Sequence, residues 1–231
     1  FSNEALVNRI NSDLANDLGN LVSRTVAMID KYMDGIIPDD KETGEFDEEL
    51  KNLLLETPAK VEEALDSLLF SNALTEIWKA ISRTNKYIDE TMPWILGKDT
   101  SKKDRLAAVL YNLAESIRIC SVLISPFMPD TSKIIQTQLG IETDELCTWE
   151  SAKIWGIYKD GIKVNKGDII FPRLELQKEL EALDEIKKQN QTDNVNKDYE
   201  PIEPEISIDD FKKVDLRTAT VISAEKIKKA D

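Results

Sequence analysis

Asn16, Asn20 and Arg24 stand four residues apart within the stretch from Ile10 to Arg24, and on an α-helix that spacing sets two amides and a guanidinium in one row beside a leucine stripe. An amide offers a donor pair and an acceptor and a guanidinium only donors, so the row suits the edge of a polar, planar group. Trp94, in Asp89-Glu-Thr-Met-Pro-Trp94 at the end of a separate predicted helix, adds an aromatic surface on which such a group can stack. Pro93 fixes the backbone ahead of the ring at little entropic cost. Taken alone, an Asn and an Arg four apart are the ordinary solvated face of a helix, and a Trp at a helix end is most often partly buried packing. Gly19 tilts the balance, because a glycine inside a helix costs about 1 kcal/mol relative to alanine and marks close approach of another group.

Other chemistry has little support. The 231 residues contain no His, the commonest general base, and no Gly-x-x-x-x-Gly-Lys phosphate loop. Cys120 and Cys147 have no histidine with which to complete a metal site and read as structural. Catalysis, a metal and a bound cofactor are therefore not expected of this segment. No run of about 20 apolar residues suggests a membrane span. The net charge of -14 argues against a nucleic-acid partner only until its distribution is seen. Residues 31–66 hold 12 acids and 4 bases, residues 175–206 hold 10 acids and 4 bases, and the remainder balances 22 of each. The chain opens on Phe1 rather than Met and has no secretory pattern, which reads as a piece of a longer protein.

The elements that must carry the row are helical. Leu6, Ile10, Leu14, Leu18, Leu21, Met28 and Ile29 recur at helical spacing up to a break at Asp34-Gly35. A second helical stretch spans about Asp47 to Leu69, with Thr57-Pro58 either kinking it or starting a new helix. A third begins near Ser71, turns Leu74, Ile77, Trp78 and Ile81 inward with Arg83 and Tyr87 on its polar side, and ends before Pro93. A fourth, capped by Ser101 and Asp104, carries a nearly continuous inward seam from Leu106 to Ile124. A fifth is closed by Gly140. The fold class expected is an antiparallel helical bundle over residues 1–173, with a small β-hairpin between Trp149 and Pro172 around Gly161 and Gly167. Residues 174–205 read as a charged helix and, from Gln189, an acidic linker. In residues 206–231 a new apolar pattern leads to strand-like Thr218 to Ile222, too short for a core of its own and ordered only by borrowed contacts.

Four separated segments, in order, carry a family resemblance: Phe1 to Ile10, Asp17 to Arg24, Asp89 to Trp94, and Phe171-Pro-Arg-Leu-Glu175. They resemble methionyl-tRNA synthetases in the part that follows the catalytic domain, and Ile206 to Arg217 resembles the opening of the tRNA-binding OB-fold domain that many bacterial members append. The resemblance implies a bundle that binds the CAU anticodon of methionine tRNA through Asn20, Arg24 and Trp94, with Asn16 and Pro93 in support. It implies a cytoplasmic parent enzyme that attaches methionine to tRNA using ATP, with no membrane partner and with any homodimer formed through the C-terminal domain. The ATP-binding signatures of that enzyme are missing here, so the segment should bind tRNA without charging it. Lys212-Lys213 and Lys226 to Lys229 read equally as phosphate contacts or ordinary surface charge. Two alternatives stand beside this reading: the bundle of another class I synthetase, for isoleucine, valine, leucine or cysteine, and a helical scaffold that binds a protein through its acidic Asp47–Asp66 stretch.

Overall fold

A computed structural model describes residues 2–38, 42–141, 144–195, 207–214, 218 and 220. They fall into two units, Phe1–Leu183 and Asp184–Asp231, each taken by itself.

The first unit begins with one continuous helical path in three parts: α1 (Asn3–Arg9), a π-helical stretch (Ile10–Gly19) and α2 (Asn20–Met33). Ser2 caps its start by accepting a hydrogen bond from the Ala5 N–H, and Asp34, in the left-handed region at φ 54°, ends it. Val7, Ala15, Leu18, Leu21, Val22, Val26 and Ile29 form its buried stripe. Next come α3 (Asp47–Asp66) and α4 (Phe70–Thr91), packed as a hairpin across a connector containing Leu68 at φ 56°. The antiparallel sense follows from Tyr87, near the end of α4, whose hydroxyl donates to Asp47 Oδ1 at the start of α3 over 2.7 Å. Pro58 lies inside α3, which runs through it unbroken, and the Thr57 hydroxyl donates to the Leu53 carbonyl one turn back. A short turn, α5 (Pro93–Leu96), leads to a 3₁₀ turn and α6 (Lys103–Leu123), then α7 (Pro129–Gln138), α8 (Trp149–Ala152) and α9 (Leu176–Val195), whose residues from Asp184 on belong to the second unit.

α6 is the axis of the bundle and packs against α2, α3, α4, α5, α7 and α8. Every residue from Leu106 to Leu123 is buried. The span Thr100–Leu123 is long and apolar enough to cross a membrane by length and composition, but its apolar part, from Leu106 on, is wholly buried in protein and includes Glu115 and Arg118. Burying it requires its polar residues to be paired. Asn112 donates to the Tyr87 hydroxyl at 3.1 Å, and Arg105 makes a bidentate pair with Asp47 at 2.6 Å for both bonds. Arg83 and Tyr87 therefore do not form an outward polar side of α4. Both are buried, Arg83 against Glu90 at 2.9 Å and Tyr87 within this network. The cap of the 3₁₀ turn before α6 is Asp99, whose carboxylate accepts from the Ser101 N–H at 3.0 Å.

The expected β-hairpin is not formed, and among the described residues there is no strand, only an isolated antiparallel bridge between Ile36 and Lys163. The backbone of this region finds other partners. Arg118, fully buried, pairs with Glu115 at 2.7 Å and donates to the carbonyls of Leu146, Ser151 and Ile154. Glu115 accepts from the Gly156 N–H at 2.8 Å. Farther on, Ile37 N–H donates to the Ile162 carbonyl and Gly161 N–H to the Ile37 carbonyl. A buried ion pair and the Gly35–Ile37 segment thus satisfy the groups that a hairpin would have paired internally.

α9 runs on to Val195, into the stretch whose lost periodicity predicted a linker from Gln189, and the rest of that linker lies outside the described residues. The second unit contains α10 (Ile208–Phe211), started by a capping box between Ser207 and Asp210. Lys212 and Lys213 pair locally with Asp209 and Asp210 at 3.1 and 2.7 Å. Of the predicted strand, only Thr218 and Thr220 are described, in neither helix nor strand.

Candidate nucleic-acid interface

Asn20 and Arg24 are the first residue of α2 and the residue one turn later, both exposed. Regular α-helical geometry from Asn20 onward places them on one face. Asn16 is also exposed but sits in the π-helical stretch, where i→i−5 bonding puts more than four residues in each turn. The three-residue row predicted from α-helical spacing is therefore a pair, with Asn16 displaced around the helix axis.

Trp94 reaches this face from the other side. α4 ends at Met92, whose backbone takes the left-handed conformation at φ 45° while its N–H still bonds the Ile88 carbonyl at 2.9 Å. For a residue with a side chain that conformation costs of order 1–3 kcal/mol, and such strain clusters at functional sites. It reverses the chain so that Pro93, buried, opens α5 at the position where its missing N–H does no harm. Gly97, just after α5, lies so close to the Tyr32 ring on α2 that a Cβ there would overlap it, which seats the Trp94 turn against α2.

The result is a compact cluster. The Arg24 guanidinium carbon lies 5.9 Å from the centroid of the Trp94 ring, within cation–π range. Arg24 Nη2 also lies 3.8 Å from Asp89 Oδ1, with Asp89 71% exposed at its side chain, so solvent screens that pair. Trp94 itself is 38% exposed. Asp17, three residues before Asn20, has its carboxyl pushed up by burial and by the neighbouring charge of Asp13, with Arg9 acting the other way. The structure thus joins Arg24 to Trp94, places Asn20 one turn from Arg24, and leaves Asn16 apart. Sequence reasoning gave no role to Met92, Asp89, Gly97 or Tyr32. Asp89 and Met92 carried a signal only as members of the motif that ends in Trp94, and Gly97 and Tyr32 carried none.

Guanidinium and amide donors beside a half-open indole are what a single-stranded base requires, one surface to stack on and groups to meet its pairing edge. In class the unit is a helical bundle bearing such a cluster at one helix start. The family model for the anticodon binding domain of methionyl tRNA ligase matches residues 37–188. The chain is 56% identical over 233 residues to the methionine–tRNA ligase of Caldanaerobacter subterraneus subsp. tengcongensis, covering 100% of this chain and 35% of that protein. It is 48% identical over 237 residues to the ligase of Bacillus subtilis, covering 100% of this chain and 36% of that one. The apo structure of Mycobacterium tuberculosis methionyl-tRNA synthetase matches 76% of this chain and 35% of its own with a TM-score of 0.71 at 31% identity. The chain belongs to the methionyl-tRNA ligase anticodon-binding domain family. It spans about a third of the length of the curated relatives it matches.

Proposed function

We propose that this chain is the tRNA-reading part of a methionine–tRNA ligase and that it recognises the CAU anticodon by stacking and hydrogen bonding. The observation that carries the reading is the Arg24 guanidinium 5.9 Å from the Trp94 ring, with Asn20 exposed one turn away. A splayed anticodon base stacks on the open part of Trp94, while Arg24 donates to its acceptors and Asn20 supplies both a donor and an acceptor. For a cytosine the acceptors met by Arg24 are O2 and N3. Asn16 and Pro93 are supporting residues, Pro93 by setting the backbone ahead of the ring.

The ATP-dependent attachment of methionine belongs to the whole ligase in the cytoplasm, and residues 206–231 begin its appended OB-fold domain. The test is equilibrium binding of the 231-residue chain to methionine tRNA and to the same tRNA with only its anticodon changed. Tighter binding of the unaltered tRNA supports the proposal, and equal affinities refute it. Preference for an isoleucine, valine, leucine or cysteine anticodon would assign the bundle to another synthetase.

A further inference from the structure

A ten-residue π-helix is unusual, because π-helical hydrogen bonding mostly occurs as single-turn bulges and is not sustained by local propensity. The stretch Ile10–Gly19 must therefore be held from outside, and three contacts do so. At its start the Asn11 side chain makes two bonds to one backbone residue: Nδ2 donates to the Leu174 carbonyl at 2.9 Å and Oδ1 accepts from the Leu174 N–H at 2.8 Å. At its end Gly19 lies under the side chain of Phe171, which a Cβ would meet at 3.6 Å. Between them Asn85, on α4, donates to the Asp17 carbonyl at 3.0 Å. Residues 171–174 thus lie along the stretch as a strap, anchored at both of its ends.

The stretch leads directly into the reading face. The Asn20 N–H is shared between the carbonyls of Ala15 and Asp17, the first of them a five-residue step, so the first residue of α2 still takes part in the π-type bonding. Ten residues of α-helix turn through about 1000°, and the wider π turn covers the same residues with less rotation. The register of this stretch therefore sets the phase between the core contacts made by Val7 and Ala15 and those made by Leu21 and Val22, with Asn20 at the junction.

We propose that Asn11, acting through the Leu174 backbone, is a positioning residue for the base-reading face: it pins the Phe171–Leu174 strap onto the π-helical stretch and so fixes where Asn20 and Arg24 stand relative to Trp94. The inference rests on the anticodon-reading role proposed above.

The experiment uses the 231-residue chain in five forms: unaltered, Asn11→Ala, Asn11→Asp, Asn20→Ala with Arg24→Ala, and those two combined with Asn11→Ala. Asn11→Ala removes both strap bonds and should weaken binding of methionine tRNA about tenfold. Asn11→Asp keeps the acceptor and should lose about threefold, which keeps the idea testable should the alanine variant fold poorly. On top of Asn20→Ala and Arg24→Ala, Asn11→Ala should cost nothing more, because the groups it positions are gone. A second readout needs no RNA: the side-chain N–H resonances of Asn20 and Trp94 should shift in Asn11→Ala while melting stays cooperative. Equal losses with and without the readers, or unchanged resonances, would overturn the proposal. If the unaltered chain fails to distinguish anticodons, the functional reading falls, while the RNA-free resonances still decide whether Asn11 is coupled to the face.

Discussion

Trp94→Ala should have two separable costs, because the ring is partly packed and partly open. With the residue 38% exposed, about six tenths of the roughly 150–250 Å² that a tryptophan can bury is covered. At about 25 cal/mol per Å², and allowing for a compact unfolded chain, its removal destabilises the bundle by about 2–3 kcal/mol. In a unit of this size that lowers Tm by about 5–10 °C. Losing a stacked base costs about 1–3 kcal/mol in addition, so methionine tRNA should bind about 5- to 150-fold more weakly. The assay is anisotropy with labelled tRNA at fixed low salt, well below the melting transition, beside a thermal scan of the same sample. Trp94→Phe, which keeps an aromatic face, should recover most of the affinity. A collapse of cooperative melting in Trp94→Ala would show the ring to be core. Unchanged affinity for methionine tRNA in Trp94→Ala would refute stacking on the anticodon.

Asp47→Asn leaves Arg105 without its carboxylate at a site where their side chains are 14% and 9% exposed, and should cost about 3 kcal/mol in urea denaturation at pH 7. Burial pushes the Asp47 carboxyl up, but hydrogen bonds from Arg105 and Tyr87 and the Arg105 charge outweigh it and hold it below the ordinary range. Its stabilisation is therefore present above an unfolded-state pKa of about 3.9 and lost as pH falls through the lower folded value, so the unaltered chain should lose more stability than Asp47→Asn between about pH 5 and 2. Burial pushes the Cys120 thiol up to about 12, and a thiol-reactive dye at pH 8 should label it only at the rate of global unfolding. Gly97→Ala places a methyl against the Tyr32 ring and should cost about 1–3 kcal/mol in urea denaturation, with a shift of the Trp94 indole N–H resonance.

The bundle was legible where periodicity and burial coincide. The seam from Leu106 to Ile124 and the stripe through Leu18, Leu21 and Ile29 are buried as their spacing predicts. The pairing of Arg24 with Trp94 came from the family resemblance, since no local pattern ties a helix start to a turn 70 residues later. What the spacing hid was settled by tertiary contacts. Ile10, Leu14 and Leu18 fit an α-helical period, and nothing in them signals five-residue bonding; the partners that hold it, Leu174, Phe171 and Asn85, are distant in sequence. Arg83 and Tyr87 read as outward because they are polar, yet each is buried with a partner on hand. The Val, Ile and Gly turn signals between Trp149 and Pro172 suggested a hairpin, but Arg118 and Glu115 bond the backbone of Ser151, Ile154 and Gly156, and Gly35 and Ile37 that of Gly161, Ile162 and Val164. A Cβ at Gly19 would press on the Leu14 carbonyl of its own helical stretch at 3.0 Å and meet the Phe171 side chain only at an ordinary contact distance of 3.6 Å, so the crowding at Gly19 comes from its own helix.

The bond between Asn11 and Leu174 spans 163 residues. On the ribosome, at about 5–20 residues per second, this separation corresponds to roughly 8–30 s between the synthesis of its two ends. The α3–α4 hairpin, made of neighbours in sequence, can form early in that interval. The opening helix, however, must wait for Phe171 and Leu174 before its π turns gain the contacts that hold them. The nascent chain therefore acquires its scaffold first and the register of its opening helix last, and base recognition of the proposed kind would become available only once the strap has been made.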